Sequence, residues 1–78
     1  MPTILRVGPY RFFFYASDRK EPAHGHVERD IKVAKFRLKP VQLAKDSGFS
    51  STEIRRIEKL VKSNSEYLLR EWNEYFKD

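Results

Sequence analysis

The run His24-Gly25-His26-Val27-Glu28-Arg29-Asp30-Ile31-Lys32-Val33-Ala34-Lys35-Phe36-Arg37-Leu38 decides the fold. Side chains on a strand point alternately to its two faces. With Asp30 and Ile31 as the central residues of a hairpin turn, Arg29 faces Lys32. Counting back, Glu28 pairs Val33, Val27 pairs Ala34, His26 pairs Lys35, Gly25 pairs Phe36 and His24 pairs Arg37. One face is then apolar, with Val27, Ala34 and Phe36. The other gathers both histidines of the chain with Glu28, Lys35 and Arg37. A slip of one residue would exchange the faces.

Toward the N-terminus, Thr3 to Val7 reads as a strand and Gly8-Pro9 as a turn. The run Tyr10-Arg11-Phe12-Phe13-Phe14-Tyr15 reads as a second strand. Tyr10, Phe12 and Phe14 fall on one side of it, and Arg11, Phe13 and Tyr15 on the other. Phe13 and Tyr15 make that second side too apolar to stand in water, so it calls for cover from elsewhere in the chain or from a second copy. Ala16 to Ala23 is polar and reads as a loop.

Toward the C-terminus, Pro40 suits the first turn of a helix, Val41, Leu43 and Ala44 its apolar side, and Gly48 its end. The next helix is the best marked. Ser50 and Glu53 have capping-box spacing, and Phe49 and Ile54 that of a hydrophobic staple. Ile54, Ile57, Val61, Leu68, Trp72 and Tyr75 recur at helical spacing. Ser63-Asn64-Ser65 interrupts the pattern as a kink, a short turn or a solvated stretch. The fold class is α+β: a small antiparallel sheet of about four strands packed on two or three C-terminal helices. One domain spans 1–78, β-rich and basic over 1–39 and helical over 40–78.

With 78 residues and no cysteine, the chain holds neither a disulfide framework nor a thiolate zinc site. No apolar run approaches the roughly 20 residues of a membrane span. The start, Met1-Pro2-Thr3-Ile4-Leu5-Arg6, lacks the pattern of a signal peptide. A soluble, cytoplasmic protein with no membrane partner is expected. The net charge of +5 lies entirely in residues 1–40, which hold nine Lys or Arg against four acids. A basic sheet face suits RNA, DNA or an acidic protein, although it can also be plain solvated surface. P-loop, dinucleotide-loop, Ser–His–Asp and zinc-finger patterns are missing from the sequence.

Two groupings carry candidate chemistry. In the first, His24 and His26 stand with Glu28 on one strand face, and Lys35 and Arg37 lie across the hairpin. That grouping admits binding of an anion or nucleic acid through Lys35, Arg37 and Glu28. It also admits ribonuclease chemistry with His24 or His26 as general base and the cations steadying the phosphate. A metal held by His24, His26 and Glu28 is a third use, less favoured than a site with no cofactor. Whether the protein is an enzyme stays open. In the second grouping, Ala44, Gly48 and Ile54 have helix-turn-helix spacing over residues 41–61, which would present Arg55 and Arg56 to DNA. The aromatic end with Trp72, Tyr75 and Phe76 reads as helix packing on the sheet, or as a protein interface.

Several motifs in order resemble the small prokaryotic domain-of-unknown-function family 4160. They are Met1 to Arg6, Arg11 to Tyr15, Pro22 to Val27, Ala34-Lys35-Phe36, Gly48-Phe49-Ser50 and Trp72 to Phe76. The family pattern at residues 22–27 is Pro-Pro-His-aliphatic-His-Val. Here Gly25 replaces the aliphatic residue, which loosens a strand, and Arg37 stands where the family often has an aromatic residue. The resemblance implies a protein encoded beside a second small protein, in pairs that look like toxin–antitoxin modules. It marks His24, His26 and Lys35 as motif positions without assigning them a role. The expectation is a component of such a module that binds nucleic acid or a cognate acidic protein through its histidine-bearing face. A homodimer is a further possibility.

Overall fold

The computed structural model describes residues 3–77. Five strands form one antiparallel meander, β1 (Thr3–Val7), β2 (Tyr10–Phe13), β3 (His24–Arg29), β4 (Lys32–Leu38) and β5 (Val41–Ser47), neighbours in space as in sequence. Two helices follow, α1 (Ser51–Ser63) and α2 (Ser65–Tyr75). A 3₁₀ turn, Ala16–Lys20, joins β2 to β3. The fold is α+β, as expected, with one strand more than four. Met1 and Pro2 of the opening motif lie outside the described residues.

The central hairpin has the register that its alternation dictates, from Arg29↔Lys32 to His24↔Arg37. Asp30 supplies the turn's positive φ of 57°, which Asp adopts more readily than a β-branched residue. The inner face presents Tyr10, Phe12, Val27, Ala34, Phe36 and Leu38. These pack with Phe49, Ile57 and Val61 of the α1 region and Leu68 of α2 into one core. Gly25 lies on this side as well. A Cβ there would sit 3.7 Å from the Phe14 ring, so Phe14 already covers the position that lacks an aliphatic side chain.

The helix expected over 41–47 is instead strand β5, so the sheet extends into the half expected to be helical. Pro40 sits in the turn between β4 and β5. Seven residues are too few for a helix to stand alone. Pairing with β4 gives their backbone, and the otherwise open edge of β4, hydrogen-bond partners. Without a helix there, the helix-turn-helix over 41–61 does not form. Arg55 and Arg56 are exposed on a helix whose other side, Ile57 and Val61, is buried in the core.

Gly48 has φ 103°, and a Cβ there would press to 3.3 Å from Lys32. The turn into α1 therefore needs glycine. Ser50 Oγ accepts from the Glu53 N–H as the N-cap. The Glu53 carboxylate does not close the expected capping box. It accepts from Nε and Nη2 of Arg29 and from the Tyr10 hydroxyl instead. The Arg29 hydrogen bonds, helped by that of Tyr10, hold its pKa down to about 2. This ion pair ties the end of β3 to the first turn of α1. Asn64 separates the helices, its backbone and side chain bonding back to the Leu60 carbonyl.

Candidate functional site

Alternation sends His24 and His26 to the face of the sheet away from Val27 and Phe36, together as the pattern requires. They do not project into water. His24 is 1% exposed and His26 9%. The cover is the stretch read as a polar loop. After β2 the chain turns through Ala16–Lys20, and Asp18 points back to the Tyr15 N–H, which donates to its Oδ2 at 2.8 Å. Asp18 is itself buried. Phe13 stacks on His26 with centroids 5.4 Å apart, and Tyr15 meets the same ring edge-on at 4.6 Å. Trp72 of α2 lies 5.1 Å from His24. Phe13, on the outer side of β2, is thus covered from within the chain, while Tyr15 beside it stays partly exposed.

The polar atoms of this enclosed group have specific partners. His26 Nε2 is 3.0 Å from Asp18 Oδ2. His24 Nδ1 is 2.8 Å from the Pro22 carbonyl oxygen. A carbonyl only accepts, so Nδ1 carries the proton. His24 Nε2 then faces Asp18 Oδ1 at 3.1 Å, but out of hydrogen-bonding geometry, and has no hydrogen-bond partner among the described residues. Burial lowers the His26 pKa, with the Asp18 charge opposing, so the ring is neutral near neutral pH. One ligand atom from each of Asp18, His24 and His26 comes within 4.8 Å of the others.

Glu28, expected as the carboxylate beside the histidines, is instead bound to Arg11 at 2.7 Å. The carboxylate that meets both rings is Asp18. Hairpin register cannot reveal it, because it reaches the cluster from a turn. The local signal was Tyr15-Ala16-Ser17-Asp18, an acid three residues after the residue that caps the turn, where it can bond that residue's backbone N–H.

Beside the cluster, a cleft of about 270 Å³ opens on the outer face, lined by Tyr15, His26, Val33, Lys35, Lys45 and Ser47 together with Ala34. Lys35 lies in ion-pair contact with Glu21, and that bond lowers the Glu21 pKa. Lys45 and Ser47 come from β5, and they join Lys35 only because residues 41–47 form a strand. Arg37 is exposed on the same face, opposite His24. Of the two histidines, only His26 borders the cleft.

No helix among the described residues is long and apolar enough to cross a membrane. No curated protein and no solved structure matches the chain. One family model does, over residues 10–73, from the aromatic strand through both histidines to the last turns of α2. Over that span, the chain belongs to the family described as domain of unknown function DUF4160.

Proposed function

We propose that this protein binds single-stranded RNA across the outer face of its sheet, as one member of a cytoplasmic toxin–antitoxin-like pair. The observation that carries the RNA reading is the cleft. It offers an aromatic ring (Tyr15), two lysines (Lys35 and Lys45) and a hydroxyl (Ser47) on one open surface. Unstacked bases take up aromatic faces while cations follow the phosphates, which favours single strands over duplex. Arg37 extends the positive surface beyond the cleft. The paired-module part of the reading comes from the family resemblance, and it makes a cognate small protein the competitor for this face. A second reading, RNA cleavage, rests on His26 lining the cleft next to Lys35, with Lys45 one strand further on. His24, at 1% exposure, has no access to a substrate.

The test is fluorescence anisotropy with short labelled RNA, single-stranded DNA and duplex DNA over a salt series. The reading expects single-stranded RNA to bind best, with affinity falling as salt rises. The Lys35→Glu/Lys45→Glu double variant should weaken binding and flatten the salt dependence, while Arg55→Glu/Arg56→Glu on the far helix leaves both unchanged. No RNA binding at low salt, or equal losses in the two double variants, would overturn it. Gel analysis of the same RNA separates binding from cleavage. Capture of a small acidic protein by a chain that ignores RNA would hand the face to that partner.

A further inference from the structure

We propose that Asp18, His24 and His26 form a binding site for one divalent transition-metal ion of the zinc class. Two histidines at i and i+2 of β3 and one carboxylate from the 3₁₀ turn meet on one side of the sheet. Such a donor set suits zinc and its first-row neighbours. With metal–ligand bonds of about 2.0–2.1 Å, tetrahedral ligands stand roughly 3.3 Å apart. His24 Nε2 lies 3.1 Å from Asp18 Oδ1 and His26 Nε2 3.0 Å from Oδ2, close to that spacing, and one ligand atom from each residue falls within 4.8 Å of the others, so a small inward movement of the rings completes the set.

The observation that points to a cation is His24 Nε2. Because Nδ1 donates to the Pro22 carbonyl, Nε2 is the ring nitrogen left to offer a lone pair to an ion. That nitrogen lies 3.1 Å from a carboxylate oxygen without being in line with it, it is buried, and it makes no hydrogen bond among the described residues. Two acceptors this close at a buried position repel, and a positive centre bound to both removes the repulsion. A metal ion also balances the buried Asp18 charge.

The surroundings match those of metal-binding histidines, whose other ring nitrogen is usually held by a carbonyl or carboxylate. Here the Pro22 carbonyl orients His24, and the Tyr15 N–H orients Asp18. Three protein ligands leave zinc a fourth position for water or another donor. The ion would be held without Lys35, Lys45 or the Tyr15 ring, so its binding is separable from RNA binding even though His26 also borders the cleft.

The test uses the full chain stripped with chelator and titrated with Zn²⁺ by calorimetry, with Co²⁺ as the visible reporter. One ion per chain and a four- to five-coordinate Co²⁺ spectrum are expected. Asp18→Asn is the informative variant. Its amide oxygen can accept from Tyr15 and His26 while its NH₂ donates to His24 Nε2, so the fold should hold. Its metal affinity should fall by more than the roughly 10–100-fold that an outer-shell change gives.

Imidazole ¹⁵N shifts of the unmodified protein supply a second readout. Zn²⁺ should move Nε2 of both histidines and leave His24 Nδ1 protonated. No stoichiometric binding at micromolar metal would overturn the proposal, as would equal affinity in Asp18→Asn. So would a His24 ring that remains protonated at both nitrogens in excess Zn²⁺, which would make the positive centre a proton.

Discussion

On the inner face of the sheet, Phe12, Val27, Ala34 and Phe36 meet Ile57, Val61 and Leu68 of the helices. On the outer face, Phe13, His24 and His26 meet one 3₁₀ turn carrying Asp18, with Trp72 at the His24 end. Both groups are buried, but by different physics. The inner face is held by apolar area removed from water, which is non-directional and tolerant of exchange among side chains of similar size. The outer face buries polar atoms whose value depends on specific partners, and it is unforgiving when one is lost. A small protein gains little from burying two imidazoles and a carboxylate for stability alone. That contrast is why the functional reading sits on the outer face.

The sharpest way to break the contrast is from the inner side. Phe36 is fully buried, and Phe36→Ala should destabilise by about 3–5 kcal/mol in urea unfolding. For a domain of this size that is enough to unfold much of the population. A loss below about 1 kcal/mol would mean that the helices do not rest on β4 as described. On the outer side, chemistry rather than volume should decide. Asp18→Ala removes the acceptor of the Tyr15 N–H and of His26, and in chelator it should lose about 1–3 kcal/mol. Asp18→Asn, of the same shape, should lose little or none. Equal losses would reduce Asp18 to a space-filler. The smallest effect expected is a gain. A Cβ at Gly25 meets Phe14 at ordinary contact distance, so Gly25→Ala should stabilise by roughly 0.5–1 kcal/mol. A marked loss would show that the Phe14 ring cannot tolerate its neighbour.

The two faces also differed in how far they could be read from the sequence. The β3–β4 register was legible pair by pair, because Val27, Ala34 and Phe36 alternate with charged and imidazole side chains around a turn containing Asp30. Helix α1 was legible from Ser50 and the spacing of Ile54, Ile57 and Val61. Strand β5 was not. Val41 is half-buried and Gln42 to Ser47 are exposed, so no burial pattern marks the segment as a strand, while Pro40 and Gly48 imitate the ends of a helix. What makes it a strand is the hydrogen-bonding edge of β4, a tertiary partner that local signals do not report. The site divides in the same way. The shared face of His24 and His26 followed from alternation, whereas their enclosure, the replacement of Glu28 by Asp18, and the arrival of Lys45 and Ser47 all depend on segments that read as a loop and a helix.

The buried Asp18–His24–His26 group is either a cation site or packing, and the two differ in one property. The direct measurement is thermal unfolding of the unmodified chain and of Asp18→Asn, each in chelator and in saturating Zn²⁺. An ion that binds only the folded state raises stability by mass action, about 2.7 kcal/mol at a hundred times its dissociation constant. A cation site gives a clear rise in melting temperature for the unmodified chain and none for Asp18→Asn. Equal rises in both, or no rise in either, would contradict it.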